Sequence, residues 1–287
     1  MLVQQVGQQA SGVEVPPRGL RQVAKLAEPN VLFLSLAARS RQEDFQRVYD
    51  WFRRIAWRTS NGDYGALSLP AVLDDCARLA DLLRAADTGI VGTEMVDESD
   101  AEYAARISRM WSGKGKPPTR QKRLHFRHQG VDGSATLALS DQSMGTQHLY
   151  RLGRLAFRSL DLGSLLVVDE LDSSLHPYLA AKLINLFRDP DINTRGAQLI
   201  FTGHDVSLLG RIQGEQVLLG DNIWFTEKNE CGATELFAIS DFKPRGEENR
   251  ERRYLAGRYG AVPRIDDELF AAALAARKEH GDVPAES

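Results

Sequence analysis

Cysteine is nearly absent from this chain: Cys76 and Cys231 are the two present, far apart and with no metal-ligand or redox spacing. Two such thiols exclude a disulfide-stapled fold and fit a reducing compartment, so a cytoplasmic location is expected. Long apolar runs are missing too. No stretch approaches the roughly 18 apolar residues that a membrane helix needs, and the N-terminus carries no apolar signal region. Excess charge of one sign is lacking as well. The 36 Lys and Arg against 39 Asp and Glu leave a net charge of −3, which gives no global pull toward nucleic acid or a membrane. Apolar residues are plentiful: at 43% they suffice for a real core, and 287 residues admit one large domain or two small ones.

The chain is organised around the stretch from Leu165 to His204. Leu165-Leu166-Val167-Val168 is an apolar run that ends abruptly in Asp169-Glu170, the profile of a fully buried parallel strand whose tip opens into a site. Pro177 stands where it can open a helix. Leu179, Leu183, Leu186 and Phe187 recur at helical spacing, and Asp189-Pro190 ends the pattern. A second apolar run, Leu199-Ile200-Phe201, ends in Thr202-Gly203-His204-Asp205. Strand, helix, strand, with polar groups at both strand tips, reads as a crossover unit with its site at the carboxyl ends of the strands. Phosphoryl transfer suits such a site. An aspartate can hold Mg²⁺ through its water shell, the next glutamate can polarise a water, and a histidine on the neighbouring strand can reach the same phosphate. The alternative is a strand end with two solvated acids.

Upstream, Leu139-Ser140-Asp141-Gln142-Ser143-Met144-Gly145-Thr146-Gln147 feeds a helical pattern whose apolar positions are Leu149, Leu152, Leu155 and Leu160. A Ser-x-Gly turn entering a helix N-terminus is an anion site, because free backbone N–H groups and the helix dipole face the ligand. This order of Ser-x-Gly helix, strand with Asp-Glu, Leu-Asp-Ser-Ser-Leu-His-Pro turn, helix and strand with His resembles the second half of an ABC-type ATPase head. It is similar to the bacterial AAA-family ATPases of the SMC-like and overcoming-lysogenisation type, which often act in phage defence. The resemblance covers most of Val31 to Ile265.

The resemblance implies an α/β fold: an ABC-type ATPase head, with a P-loop NTPase-like parallel sheet, flanking helices and a helical subdomain. It implies ATP and Mg²⁺ as cofactors. Ser143, Gly145 and Thr146 look like the signature turn that meets the γ-phosphate held by an opposite subunit. Asp169 looks like the Walker B magnesium ligand, Glu170 the catalytic base and His204 the switch histidine. Asp172, Ser173 and Ser174 lie in what resembles the D-loop, a dimer contact. Met144 departs from the family's usual Gly or Asp, and Gly203 from its usual Thr or Ser. The largest departure is the G-x-x-x-x-G-K-[ST] loop that cradles phosphates in the family. No such spacing occurs in these 287 residues; Ser112 to Pro118 has glycines and lysines but reads as a loop. The expectation is the N-terminally truncated part of such a head, needing a P-loop from a separate chain or a missing portion, with a P-loop-bearing chain or a second copy in a head-to-tail ATPase dimer as its partner. An effector nuclease is a further partner class.

On this reading the chain divides into a leader (1–30), a helical subdomain (31–112), an ABC-type core (113–265) and a C-terminal helix and tail (266–287). Leu32-Phe33-Leu34-Ser35 reads as a strand. Residues 41–110 read as mostly helical, with Phe45, Val48, Tyr49, Phe52 and Ile55 as a core stripe flanked by Trp51 and Trp57. Glu94, Asp97, Glu98, Asp100 and Glu102 read as a solvated helix start. The basic run from Lys114 to His128 is either a nucleic-acid contact or an edge strand guarded by charge. Alternation around Asp132-Gly133 predicts a hairpin. Beyond His204, strands are expected at Val217 to Leu219 and Ile223 to Phe225, a hairpin through Asn229 to Gly232, a helix centred within Arg245 to Arg258 and an Ala-rich helix after Asp266.

Two other functions remain open at this point. One is a non-catalytic interaction module or a remnant of such an ATPase. The other is a Mg²⁺-dependent nuclease built on Asp169 and Glu170, disfavoured because no further acidic cluster with metal spacing accompanies them.

Overall fold

The computed structural model describes residues 39, 43–59, 62–65, 74–113, 115–130, 133–243, 248–263 and 265–275. The chain divides into two compact units, Met1–His204 and Asp205–Ser287. The strand expected at Leu32 to Ser35 lies outside the described residues, as do the leader and the Asp132 corner of the hairpin.

Along the first unit run α1 (Glu43–Arg53), β1 (Ala56–Thr59), β2 (Gly62–Gly65), α2 (Asp74–Ala85), β3 (Ile90–Asp97), α3 (Asp100–Met110), β4 (Lys122–Gly130), β5 (Gly133–Ala138), α4 (Met144–Leu162), β6 (Leu165–Val168), α5 (Pro177–Arg188) and β7 (Gln198–Phe201). The central sheet has the order β2-β1-β6-β7. β6 pairs in parallel with both β1 and β7, while β2 is antiparallel to β1. Helices α1, α2 and α3 make up 34 of the 58 described residues in 41–110, as expected, but strands stand between them. β1 lies inside that span and is a strand of the same sheet as the Asp169-Glu170 strand. Its helical reading followed the aromatic spacing, which carries on from α1 into Trp57.

α4 packs against β1, β6, α2 and α5. Its Leu149, Leu152, Leu155 and Leu160 are buried, as the spacing predicts, and so are Leu166 and Val168 on β6. Ser143 caps its start and Gly163, left-handed at φ 61°, stops it. β6 is not buried on both faces. Register places Trp57, Val167 and Ile200 in one row, and there Trp57 and Ile200 are 46% and 58% exposed. The α1 stripe is likewise no core: Val48, Trp51 and Phe52 are all exposed, and burial begins at Ile55.

β3, β4 and β5 form an antiparallel sheet in that order, so the predicted hairpin is present. The basic strand is its centre and not an edge. Two arginines of the basic run, Arg120 and Arg123, are met from α3 and the residue before its cap. Glu98, 1% exposed, takes a two-pronged hydrogen bond from Arg106, at 2.8 and 2.7 Å. Arg123 reaches Glu98 at 3.3 Å and Glu102 at 3.6 Å, and Arg120 pairs with Asp100. The hydrogen bonds from Arg106 hold the Glu98 carboxyl at about 2, against an ordinary 4.5, in spite of the opposing effect of burial. Glu102 completes a capping box with Ser99. The acidic cluster expected to be solvated is in part the anchor of the basic run.

In the second unit, β10 (Trp224–Lys228) and β11 (Thr234–Ala238) make the predicted hairpin. The short strands β8 (Arg211–Ile212) and β9 (Glu215–Gln216) precede it, and Val217 to Leu219 is not a strand. The helices are α6 (Arg250–Leu255) and α7 (Asp267–Ala275). Phe225 stacks between Tyr254 at 5.3 Å and Tyr259 at 5.7 Å, with Ile223 and Ile239 buried beside them. That cluster gives Tyr254 and Tyr259 a packing role, whereas Leu255 is exposed. Among the described residues no helix is long and apolar enough to cross a membrane.

Candidate functional site at the strand tips

Parallel pairing brings the ends of β6 and β7 side by side, and backbone bonds continue past both strands. Asp169 N–H donates to the Arg58 carbonyl (2.8 Å), Thr202 N–H to the Val168 carbonyl (3.0 Å) and Leu171 N–H to the Thr202 carbonyl (3.0 Å). Residues 169–171 and 202 are thereby fixed by the sheet rather than by a free loop. The Thr202 hydroxyl donates to Asp169 Oδ1 at 2.7 Å and accepts the Glu170 N–H at 2.8 Å. His204 N–H donates to Asp172 Oδ2 at 2.8 Å. Glu170 Oε1 lies 3.8 Å from His204 Nε2, with both side chains largely open to water.

The backbone is strained where the turn leaves the strand. Glu170 and Ser174 take left-handed conformations, with φ of 55° and 61°. A residue with a Cβ resists that region at a cost of about 1–2 kcal/mol, and non-glycine residues held there concentrate at functional sites. Between these two, Asp172 turns its carboxylate back to the 203–204 backbone. A Cβ on residue 203 would stand 3.0 Å from Asp172 Oδ1. The glycine that departs from the resembling family is thus the residue that admits this carboxylate.

The turn also meets the start of α4. Ser143 accepts the Thr146 N–H at 3.1 Å, and its hydroxyl lies 2.8 Å from that of Thr146. A Cβ on Gly145 would come within 2.9 Å of the Ser174 carbonyl oxygen, so the first turn of α4 presses directly on the 169–176 segment. An open cleft of about 310 Å³ lies there, lined among others by Thr88, Ser143, Gly145, Thr146 and Ser174. At its helical end α5 starts at Pro177, with His176 Nδ1 accepting the Tyr178 N–H.

Two clusters therefore contain the residues singled out in the sequence. Asp169, Glu170, Asp172 and His204 gather at the strand tips, and Ser143, Gly145, Thr146 and Ser174 gather at the α4 N-terminus; Ser173 lies in the turn between. The first cluster fits a hydrated Mg²⁺, which keeps several waters and takes one or two carboxylates together with substrate phosphates. Among the described residues no group of three or more His, Cys, Asp or Glu is placed to hold a metal ion by itself. Sequence reasoning gave Thr202 no role and gave Asp172 a contact to another subunit. A hydroxyl residue directly after an apolar strand was the visible signal for Thr202, but its partners lie over thirty residues earlier in the chain.

Residues 14–210 match the profile of the family described as "AAA domain, putative AbiEii toxin, Type IV TA system". No curated protein matches the chain. The matched span contains the central sheet, α4 and every residue of both clusters, and the chain belongs to this AAA-domain family.

Proposed function

We propose that the chain binds and hydrolyses ATP as the signature and Walker B half of an AAA/ABC-type ATPase, with its P-loop coming from elsewhere. The observation that carries this is the grouping of Asp169, Glu170, Thr202 and His204 at adjacent parallel strand tips, inside the span that matches the AAA family. Asp169 would hold the Mg²⁺ that accompanies ATP, and the ion would supply positive charge to the phosphates. Glu170 orients a water and takes its proton as the water oxygen bonds to the γ-phosphorus. The bond to the bridging oxygen breaks, leaving ADP and phosphate. His204 donates a hydrogen bond to the phosphate. Ser143, Gly145 and Thr146 meet phosphate through the first turn of α4. These 287 residues hold no G-x-x-x-x-G-K-[ST] sequence, so the nucleotide is cradled by a P-loop on another segment or chain. The family's description names a putative AbiEii toxin of a type IV TA system; a phage-defence setting and an effector nuclease as partner are part of the proposal.

Calorimetry of Mg-ATP with the chain and its Asp169→Ala variant, alone and with the P-loop partner, tests the reading. Binding in the complex that Asp169→Ala weakens is expected, and Glu170→Gln abolishes turnover there while ATP-dependent association persists. Unchanged turnover in Glu170→Gln would remove the base from the assignment. The second reading, a non-catalytic interaction module, is favoured by the missing P-loop sequence. ATP binding by neither the chain nor the complex would establish it. Nucleic acid finds less support. Arg120 and Arg123 in the basic run are engaged by Asp100, Glu98 and Glu102.

A further inference from the structure

Thr202 makes four backbone and side-chain hydrogen bonds to one segment of the chain, residues 168–171. Its N–H meets Val168, its carbonyl meets Leu171, and its hydroxyl meets Asp169 and Glu170. The direction of each hydroxyl bond is fixed by chemistry. The Glu170 N–H is a donor, so the hydroxyl oxygen must accept it. Its single proton is then left for Asp169 Oδ1, which as a carboxylate oxygen can only accept.

We propose that Thr202 is the positioning residue of this site, aligning the metal-binding carboxylate and the base through one hydroxyl; this rests on the reading of Asp169 and Glu170 given above. Two consequences follow from the geometry. Oδ1 of Asp169 accepts the Thr202 hydroxyl at 2.7 Å, so the carboxylate cannot rotate without losing that bond. Mg²⁺ demands near-ideal octahedral placement of its few protein ligands, which makes a locked rotamer useful. On the other side, the 2.8 Å bond to the Glu170 N–H holds the residue whose φ is 55°. It secures the left-handed turn that carries the glutamate toward His204, 3.8 Å away. Without the hydroxyl, water satisfies both freed groups in this exposed place, so the loss is one of alignment more than of fold. Valine is the right control, since it keeps the shape and β-branching that suit a strand end.

The test measures steady-state Mg-ATP hydrolysis and amide hydrogen exchange at Glu170 for the full chain, with the P-loop partner for the kinetic arm. It compares wild type, Thr202→Val and Thr202→Ser. Thr202→Val should lower kcat about 100-fold, as misplacement of a catalytic group does, with KM changed by less than about threefold. Thr202→Ser, which keeps the hydroxyl, should stay within about threefold of wild type in both constants. Exchange at the Glu170 amide should speed up about tenfold in Thr202→Val, the value of one lost hydrogen bond, and stay unchanged in Thr202→Ser. The proposal is overturned by near-normal turnover in Thr202→Val, by equal impairment of Thr202→Ser, or by unaltered exchange at Glu170. A wild-type complex that hydrolyses no ATP refutes the functional reading instead. The exchange arm then decides whether the hydroxyl holds the turn.

Discussion

Replacing Gly145 by alanine sets two effects of known size against each other. In the body of a helix, alanine is worth about 1 kcal/mol more than glycine, so sequence alone says that Gly145→Ala stabilises. The structure says otherwise. The added Cβ would stand 2.9 Å from the Ser174 carbonyl oxygen, a backbone atom. Relief requires the Ser174 peptide to turn, yet that residue already sits at φ 61°, where further movement is resisted. Overpacking of this kind costs about 1–3 kcal/mol, and it should exceed the propensity gain by about 1 kcal/mol. For a unit of this size that lowers Tm by about 2–4 °C. Ser174→Gly supplies the control. Releasing the left-handed strain returns about 1–2 kcal/mol and the extra chain entropy of glycine removes about 0.5–1 kcal/mol, so the single change should stabilise by about 0–1.5 kcal/mol. In the Gly145→Ala/Ser174→Gly double variant the carbonyl can yield, and the double should recover about 1 kcal/mol beyond additivity. Thermal unfolding of the four proteins, followed by circular dichroism, reads out the cycle. A rise in Tm for Gly145→Ala, or strict additivity in the double, would refute the claim that this glycine exists for close approach to the turn.

Glu98 and Arg106 make a prediction about acid. The Glu98 carboxyl is held at about 2, below its ordinary value, so the folded state favours its ionised form. That stabilisation is full above pH 4.5 and is lost as pH falls from 4.5 through 2. Arg106→Met strands the buried carboxylate, and its Tm deficit against wild type should be largest at pH 7 and shrink between pH 4.5 and 2; a constant deficit would show that the pair is not what the residue contributes. Gly203→Ala pushes a Cβ to 3.0 Å from Asp172 Oδ1. It should weaken the 2.8 Å bond to the His204 N–H and speed exchange of that amide about tenfold, and Asp172→Ala should do the same. Unchanged exchange in both would mean that the carboxylate does not hold the histidine loop.

The helix α4 and the unit β6-α5-β7 could be read from sequence because their ends carry strong local signals. Ser143 caps, Pro177 opens, Asp189-Pro190 closes, and the apolar positions between them keep one period. β1 could not be read in this way. Ala56-Trp57-Arg58-Thr59 is four residues long, alternates weakly, and gets its strand character from pairing with Leu166 to Val168 far along the chain. The apolar stripe of α1 kept helical period but not burial, since period fixes which residues share a face and not whether anything covers it. Glu98 shows the converse. A glutamate among four other acids looks solvated until Arg106, two turns further on, reaches it from α3. The carboxylates of the candidate site were visible as residue types at a strand tip. The hydroxyl that joins them was not, because parallel register alone brings Thr202 beside Asp169.

The openness of the strand tips bears on how such a site works. Glu170 and His204 are 48% and 84% exposed in their side chains. Two unit charges about 4 Å apart interact by about 1 kcal/mol in bulk water and about 4 kcal/mol at the effective dielectric of a partly covered surface. At that exposure the pair interacts weakly, and carries an ionic attraction only when the histidine is protonated. Covering the tips raises every one of these interactions together and excludes competing solvent. The residues that fix geometry in advance, Thr202 and Asp172, act from within the chain and do not depend on a cover; the electrostatics do. On the proposed function the cover is the nucleotide with the P-loop that carries it, so assembly and catalysis become one event. Turnover per chain should rise with the concentration of the P-loop partner and saturate where ATP-dependent association saturates. Turnover at full rate without any partner would mean that these strand tips close by themselves.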